Sequence, residues 1–163
     1  MKTGAAEIPV ADESLTAGVV EDQPQIALAI ADLLRPYYGA VHVWHSGEAV
    51  LSAPELGSVA LYCVDLGLPG MSGLDLIRAL ALGHRPPLIL VISSLVTEDV
   101  IVQALTEGAM GFVSKDELER LPAAVATLQS GGAVATSSVM LRLLEKFRKV
   151  RGNETELLSA RER

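Results

Sequence analysis

The sequence predicts an α/β domain built on a doubly wound parallel sheet, and three observations carry that prediction. Short apolar runs recur along the chain, each bounded by turn formers and followed by a segment with helical spacing. Two of these runs, "SVALYCVD" and "PLILVIS", show almost no polar alternation, as expected of strands covered on both faces. Five strand–helix units fit within about 120 residues, the size of one ordinary domain. Such alternation calls for a parallel sheet with helices on both faces. It suggests the flavodoxin-like order 2-1-3-4-5.

Each element follows from its residues. Residues 1–13 have no periodicity and are expected to form a mobile leader. "LTAGVV" reads as the first strand. "QPQIALAIADLL" is the first helix, with Ile26, Ala29, Ile30, Leu33 and Leu34 on one face and Pro36 ending it. "AVHVW" and "GEAVLSA" form the second unit. "SVALYCVD" leads into "GLDLIRALAL", whose inward face is Leu74, Ile77, Leu80 and Ala81. "PLILVIS" precedes "TEDVIVQALTEG", a helix capped by Thr97, acidic in its first turn and closed by Gly108. "MGFVS" and "PAAVATLQSGG" complete the set. Pro122 belongs in the first turn of its helix, where the missing N–H costs nothing.

Composition bounds the function. Half of the 163 residues are apolar and 20% are charged, so a core can form and disorder is disfavoured. No apolar run reaches the roughly 18 residues a membrane span needs. The first residues lack the apolar centre of a signal peptide. A lone cysteine, Cys63, cannot make an internal disulfide, and the cytosol is the simplest compartment. Residues 1–141 hold 6 Lys/Arg against 16 Asp/Glu, whereas 142–163 hold 7 against 4. So acidic a domain is a poor nucleic-acid binder by itself.

In doubly wound sheets ligands bind beyond the carboxyl ends of the strands. The first strand ends in Glu21-Asp22, the third in Asp65, the fourth in Ser93-Ser94 and the fifth in Lys115. Three carboxylates brought to one edge repel one another unless a cation compensates them. With oxygen ligands and no His or Cys expected nearby, Mg²⁺ is favoured. A lysine beside them suits a phosphate, and a carboxylate so placed can act as a nucleophile toward phosphorus.

The stretches "VVEDQP", "VDLGLPGMSG", "VISSL" and "GFVSKD", in this order and spacing, resemble the receiver domain of bacterial two-component response regulators over about residues 15–131. The resemblance implies that Asp65 accepts a phosphoryl group from a sensor histidine kinase. Glu21, Asp22 and Asp65 would hold Mg²⁺, with Gly67 giving its backbone carbonyl. Ser93, with Ser94 beside it, and Phe112 would form the switch pair, and Lys115 would contact the phosphoryl group. On phosphorylation the Phe112 ring would leave the surface and move inward. The chain would then be a switch rather than an enzyme.

The tail adds to this. Val139, Met140, Leu143, Leu144 and Phe147 form one stripe of an amphipathic helix. After a Gly-Asn break, "ETELLSARER" resembles the start of the helix-turn-helix in LuxR/NarL-type regulators. The expected organisation is a leader (1–13), a receiver (14–131), a linker with an amphipathic helix (132–158) and the opening of a DNA-binding module (159–163). The implied partners are a kinase, a second copy on activation, and DNA through an output module; no membrane is implied.

Other readings stay open. A receiver-like interaction domain that is never phosphorylated would use the same fold. A haloacid-dehalogenase phosphatase wants a second Asp where Gly67 stands, and a nucleotide-binding fold wants a glycine-rich loop where Glu21-Asp22-Gln23-Pro24 stands. His42 and His45 are not expected to share a face, His84 is read as a solvated loop residue, and Cys63 as core. The 139–147 stripe is read as docking on its own domain rather than as a dimer seam.

Overall fold

The computed structural model describes residues 8–83, 85–94 and 97–162. His84 lies outside them. The elements run β1 (Asp12–Val20), α1 (Pro24–Leu34), β2 (Tyr38–Trp44), α2 (Gly47–Leu51), β3 (Val59–Val64), α3 (Gly73–Ala81), β4 (Leu88–Ser93), α4 (Glu98–Glu107) and β5 (Gly111–Ser114). A 3₁₀ segment (Lys115–Arg120), α5 (Leu121–Gln129), β6 (Val134–Ala135) and α6 (Ser137–Arg161) follow. The six strands form one parallel sheet in the order β2-β1-β3-β4-β5-β6.

The pleat sorts the strand residues between two cores. Leu61, Cys63, Leu90, Ile92 and Val113 face α1 and α5, where Ile30, Leu34, Val125 and Leu128 meet them. Tyr62, Val64, Ile89, Val91 and Phe112 face the other way, against Leu76, Ile77, Ile101 and Val139. Burial on both faces explains why β3 and β4 read as continuous apolar runs. Cys63 is core, and burial pushes its thiol up to about 12, which keeps it an inert apolar group.

Caps set the helix starts. Ser46, Ser72 and Thr97 each accept a hydrogen bond from an N–H of the first turn that follows. Gly108, at φ 129°, ends α4. Pro122 sits in the first turn of α5. Arg78 on α3 and Glu107 on α4 meet through two hydrogen bonds of 3.0 and 2.8 Å.

Several expectations change. β1 begins at Asp12, inside the expected leader, because the Asp12 N–H bonds to the Tyr37 carbonyl at 3.0 Å. The Val10 N–H also bonds to Gln129 on α5 at 2.8 Å. α1 turns Ala27, Ile30, Ala31 and Leu34 inward and leaves Ala29 exposed; an almost wholly apolar helix offers two stripes, and the smaller alanines fit against the sheet. In α3 Leu76 is fully buried, while Leu74 and Ala81 are only half-buried. β6 is an added strand, and α6 runs unbroken through Gly152 and Asn153. Within α6 the expected stripe divides: Val139 and Leu143 pack onto the domain, whereas Met140, Leu144 and Phe147 are exposed. No helix among the described residues is long and apolar enough to cross a membrane.

Candidate functional site

The sheet brings the charged residues together by register. Val20 pairs with Val64, so the residues that follow, Glu21 and Asp65, leave the sheet side by side. The Glu21 N–H bonds to the Trp44 carbonyl and the Asp65 N–H to the Val20 carbonyl, both at 3.0 Å. These ladder bonds fix both backbones at the carboxyl edge. Ser93 pairs with Ser114, and Lys115 follows at the next position.

The side chains close the arrangement. Lys115 Nζ lies 3.0 Å from Asp65 Oδ2 and 2.9 Å from Glu21 Oε2. The Gly67 N–H donates to Asp65 Oδ1 at 3.1 Å, and the Gln23 N–H to Glu21 Oε1 at 3.2 Å. Asp65 is 6% exposed and Glu21 fully buried, while Asp22 is open to solvent. One carboxylate oxygen each from Glu21, Asp22 and Asp65 lie within 4.8 Å of one another. Burial raises the Glu21 carboxyl above its ordinary value; the nearby Lys115 ammonium pulls it down, and the Asp65 charge adds to the rise. Burial alone would lower Lys115, yet bonds to the two carboxylates leave it raised overall.

The loop after β3 is shaped for close approach. A Cβ on Gly73 would sit 2.3 Å from the Asp65 carbonyl oxygen, so only glycine lets α3 start so near the strand end. Gly70 has a φ of 70°, where L side chains are strained. Glu48 on α2 accepts the Met71 N–H at 2.6 Å and ties down the far side of this loop.

The residues present fit a divalent cation. Glu21 Oε2 is buried and has no hydrogen bond of good geometry, although Lys115 Nζ is 2.9 Å away. A second cation would satisfy that oxygen. The donor set is carboxylate oxygen, which suits Mg²⁺ better than a softer metal.

Ser93 is 2% exposed at the end of β4, and Ser94 beyond it is exposed. Ser94 lines a polar cleft of about 240 Å³ with Ser114, Asp116, Glu117, Ser138 and Arg142. Phe112 is 1% exposed, so its ring is already inward and not on the surface as anticipated. The ring belongs to the buried cluster with Val91, Ile101, Ala104 and Val139, so the inward position is already filled by packing against β4, α4 and α6. A histidine does lie near the carboxylates, contrary to expectation. His45 Nδ1 is 2.8 Å from the Glu21 backbone oxygen, where its ring braces the main chain. Nothing in the local sequence marked His45 or Glu48, because both act through contacts with residues distant along the chain.

A two-core parallel sheet presenting a carboxylate cluster and a lysine at one edge defines a class, and the family comparison agrees. The family described as response regulator receiver domain matches residues 18–126, and the chain belongs to it. It is 32% identical over 133 residues to the transcriptional regulatory protein UhpA of Escherichia coli, covering 79% of this chain and 66% of UhpA. It is 32% identical over 152 residues to the uncharacterized transcriptional regulatory protein YkoG of Bacillus subtilis, covering 85% and 64%. The chain thus spans just under two thirds of the length of these relatives. The fold matches a LuxR-family response regulator from Aurantimonas with a TM-score of 0.72 at 22% identity, over 82% of this chain and 97% of that one. It matches the isolated receiver of RcsB from Salmonella enterica, studied with a beryllofluoride phosphomimetic, with a TM-score of 0.72 at 22% identity, over 80% and 99%.

Proposed function

We propose that this receiver accepts a phosphoryl group on Asp65 from a sensor histidine kinase, in the cytoplasm and with Mg²⁺ bound, and thereby switches a DNA-binding output. The observation that supports this most is the setting of the Asp65 carboxylate. It is nearly buried, lies 3.0 Å from an ammonium and is crowded by two further carboxylates.

Glu21, Asp22 and Asp65, with the Gly67 carbonyl, would hold the metal. When bound, Mg²⁺ would supply positive charge that offsets the carboxylates and the charge developing in phosphoryl transfer. An Asp65 oxygen attacks phosphorus in line. The O–P bond forms as the donor's P–N bond breaks, and the electron pair leaves with the imidazole, which takes a proton from solvent. Lys115 then pairs with the phosphoryl oxygens. The Ser93 hydroxyl donates to them, with Ser94 at the rim, and Phe112 packs behind the strand. The role is regulatory rather than catalytic. The "LSARER" stretch, whose described part ends α6, resembles the lead into a helix-turn-helix, and activation pairs two copies on DNA.

The test is transfer of radiolabel from acetyl phosphate with Mg²⁺. Stable label lost in Asp65→Asn supports the reading. No label on the parent protein favours an unphosphorylated interaction domain, and rapid release of phosphate favours a phosphatase.

A further inference from the structure

α6 begins at Ser137, beyond the receiver family match that ends at residue 126, yet it is not a free tail. Its start is tied to the residues on either side of Lys115. Ser138 Oγ donates to Glu117 Oε1 at 2.9 Å, and the Ser114 N–H donates to Thr136 Oγ1 at 3.4 Å. Val139, fully buried, and Leu143 pack on the cluster that holds Phe112. One and two turns further on, Lys146 pairs with Asp99 and Lys149 with Glu98, at the start of α4.

The hold is narrow. Val139 is the one buried residue in a 25-residue helix. Each ion pair has one well-exposed partner, Asp99 or Lys149, and one partly covered partner, and such surface pairs are individually weak and screened by salt. A helix attached at one buried point, one hydrogen-bonded turn and two surface ion pairs can be released without unfolding the sheet.

We infer that α6 is a latch over α4 and β5, closed by the Lys146–Asp99 and Lys149–Glu98 pairs, and that loading Asp65 loosens it. The coupling rests on the phosphoryl-acceptor reading given above; the latch itself does not. In the closed arrangement Lys115 is drawn back onto Glu21 and Asp65. A phosphoryl group added to Asp65 extends outward from the strand end, and Lys115 must move to meet its oxygens. Lys115 opens the 3₁₀ segment that carries Glu117, so its movement draws Glu117 from Ser138 and weakens the first turn of α6. By reciprocity, opening α6 favours loading of Asp65.

Amide hydrogen exchange of the full chain over residues 137–149 tests both parts. Charge reversal in Lys146→Glu/Lys149→Glu is expected to speed exchange there at least tenfold, and adding Glu98→Lys/Asp99→Lys is expected to restore most of the protection. Unchanged protection in the first variant, or no rescue in the second, overturns the latch. Mg²⁺ with beryllofluoride is expected to speed exchange over 137–149 at least threefold in the parent protein. If it raises the melting temperature but leaves that exchange unchanged, the coupling is wrong while the acceptor reading stands. If it neither binds nor stabilises, the acceptor reading and the coupling both fall, and the charge-reversal variants still decide the latch.

Discussion

Asp65 is held by one cation and crowded by two anions, and that imbalance governs what its substitution does. Asp65→Asn keeps the shape and the Gly67 N–H bond but removes the nucleophile. It is expected to fold normally and to take up no phosphate from acetyl phosphate, measured as acid-labile label; uptake at the parent rate would exclude Asp65 as the acceptor. Glu21 gives a pH-dependent test. Its carboxyl is raised above the ordinary 4.5, first by burial, so its stabilising contribution is complete below 4.5 and is lost as pH rises through the folded-state value. Without divalent cations at neutral pH, Glu21→Gln is expected to melt above the parent, because it removes the buried charge. The gap should close on acidification below 4.5. A variant that melts lower at pH 7 would show that the Lys115 ion pair outweighs the burial cost. Asp65, Glu21, Asp22 and Lys115 were legible in the sequence because each ends an apolar run. His45 and Glu48 were not, since each is defined by a bond to another element.

At the scale of elements, the β3–α3 junction and the length of α6 carry the sharpest consequences. Gly73→Ala would drive a methyl into the Asp65 carbonyl, which is backbone and cannot swing aside. It is expected to cost about 1–3 kcal/mol, as overpacking does, and to weaken Mg²⁺ binding by displacing Asp65; thermal melts with and without Mg²⁺ measure both. Gly152 lies within α6, and nothing lies within 4 Å of an added Cβ. Gly152→Ala is expected to stabilise the helix by about 0.5–1 kcal/mol, seen as more ellipticity at 222 nm. A loss of ellipticity would mean that the chain breaks at Gly-Asn in solution. That break was expected because Gly and Asn are poor helix formers, and the helical residues on either side override it. The ten-residue α4 was legible from its Thr97 cap and Gly108 stop, and β3 from a short continuous apolar run between turn formers. β6 was not: two residues carry no period, and their pairing with Gly111 and Phe112 is purely tertiary.

For the molecule as a whole, three clustered carboxylates, of which one lysine pairs with two, make stability depend on divalent cations. Mg²⁺ at ten times its dissociation constant is expected to add about 1.4 kcal/mol by mass action, and Asp22→Ala should remove most of that gain without altering the metal-free melt. A melting curve indifferent to Mg²⁺ up to tens of millimolar would exclude the site. The small β6 bears on another property, the tendency to aggregate. Without it, β5 would present unpaired backbone groups beside Phe112, an open template for another chain. Val134 and Ala135 cover that border, and α6 begins two residues later, leaving the outer side of β2 as the long unprotected border of the sheet. Strand addition between two native copies therefore has one long border to use, Tyr38–Trp44, and a pair joined β2 to β2 leaves only the short β6 borders outside, so it closes at two molecules instead of continuing into a fibre.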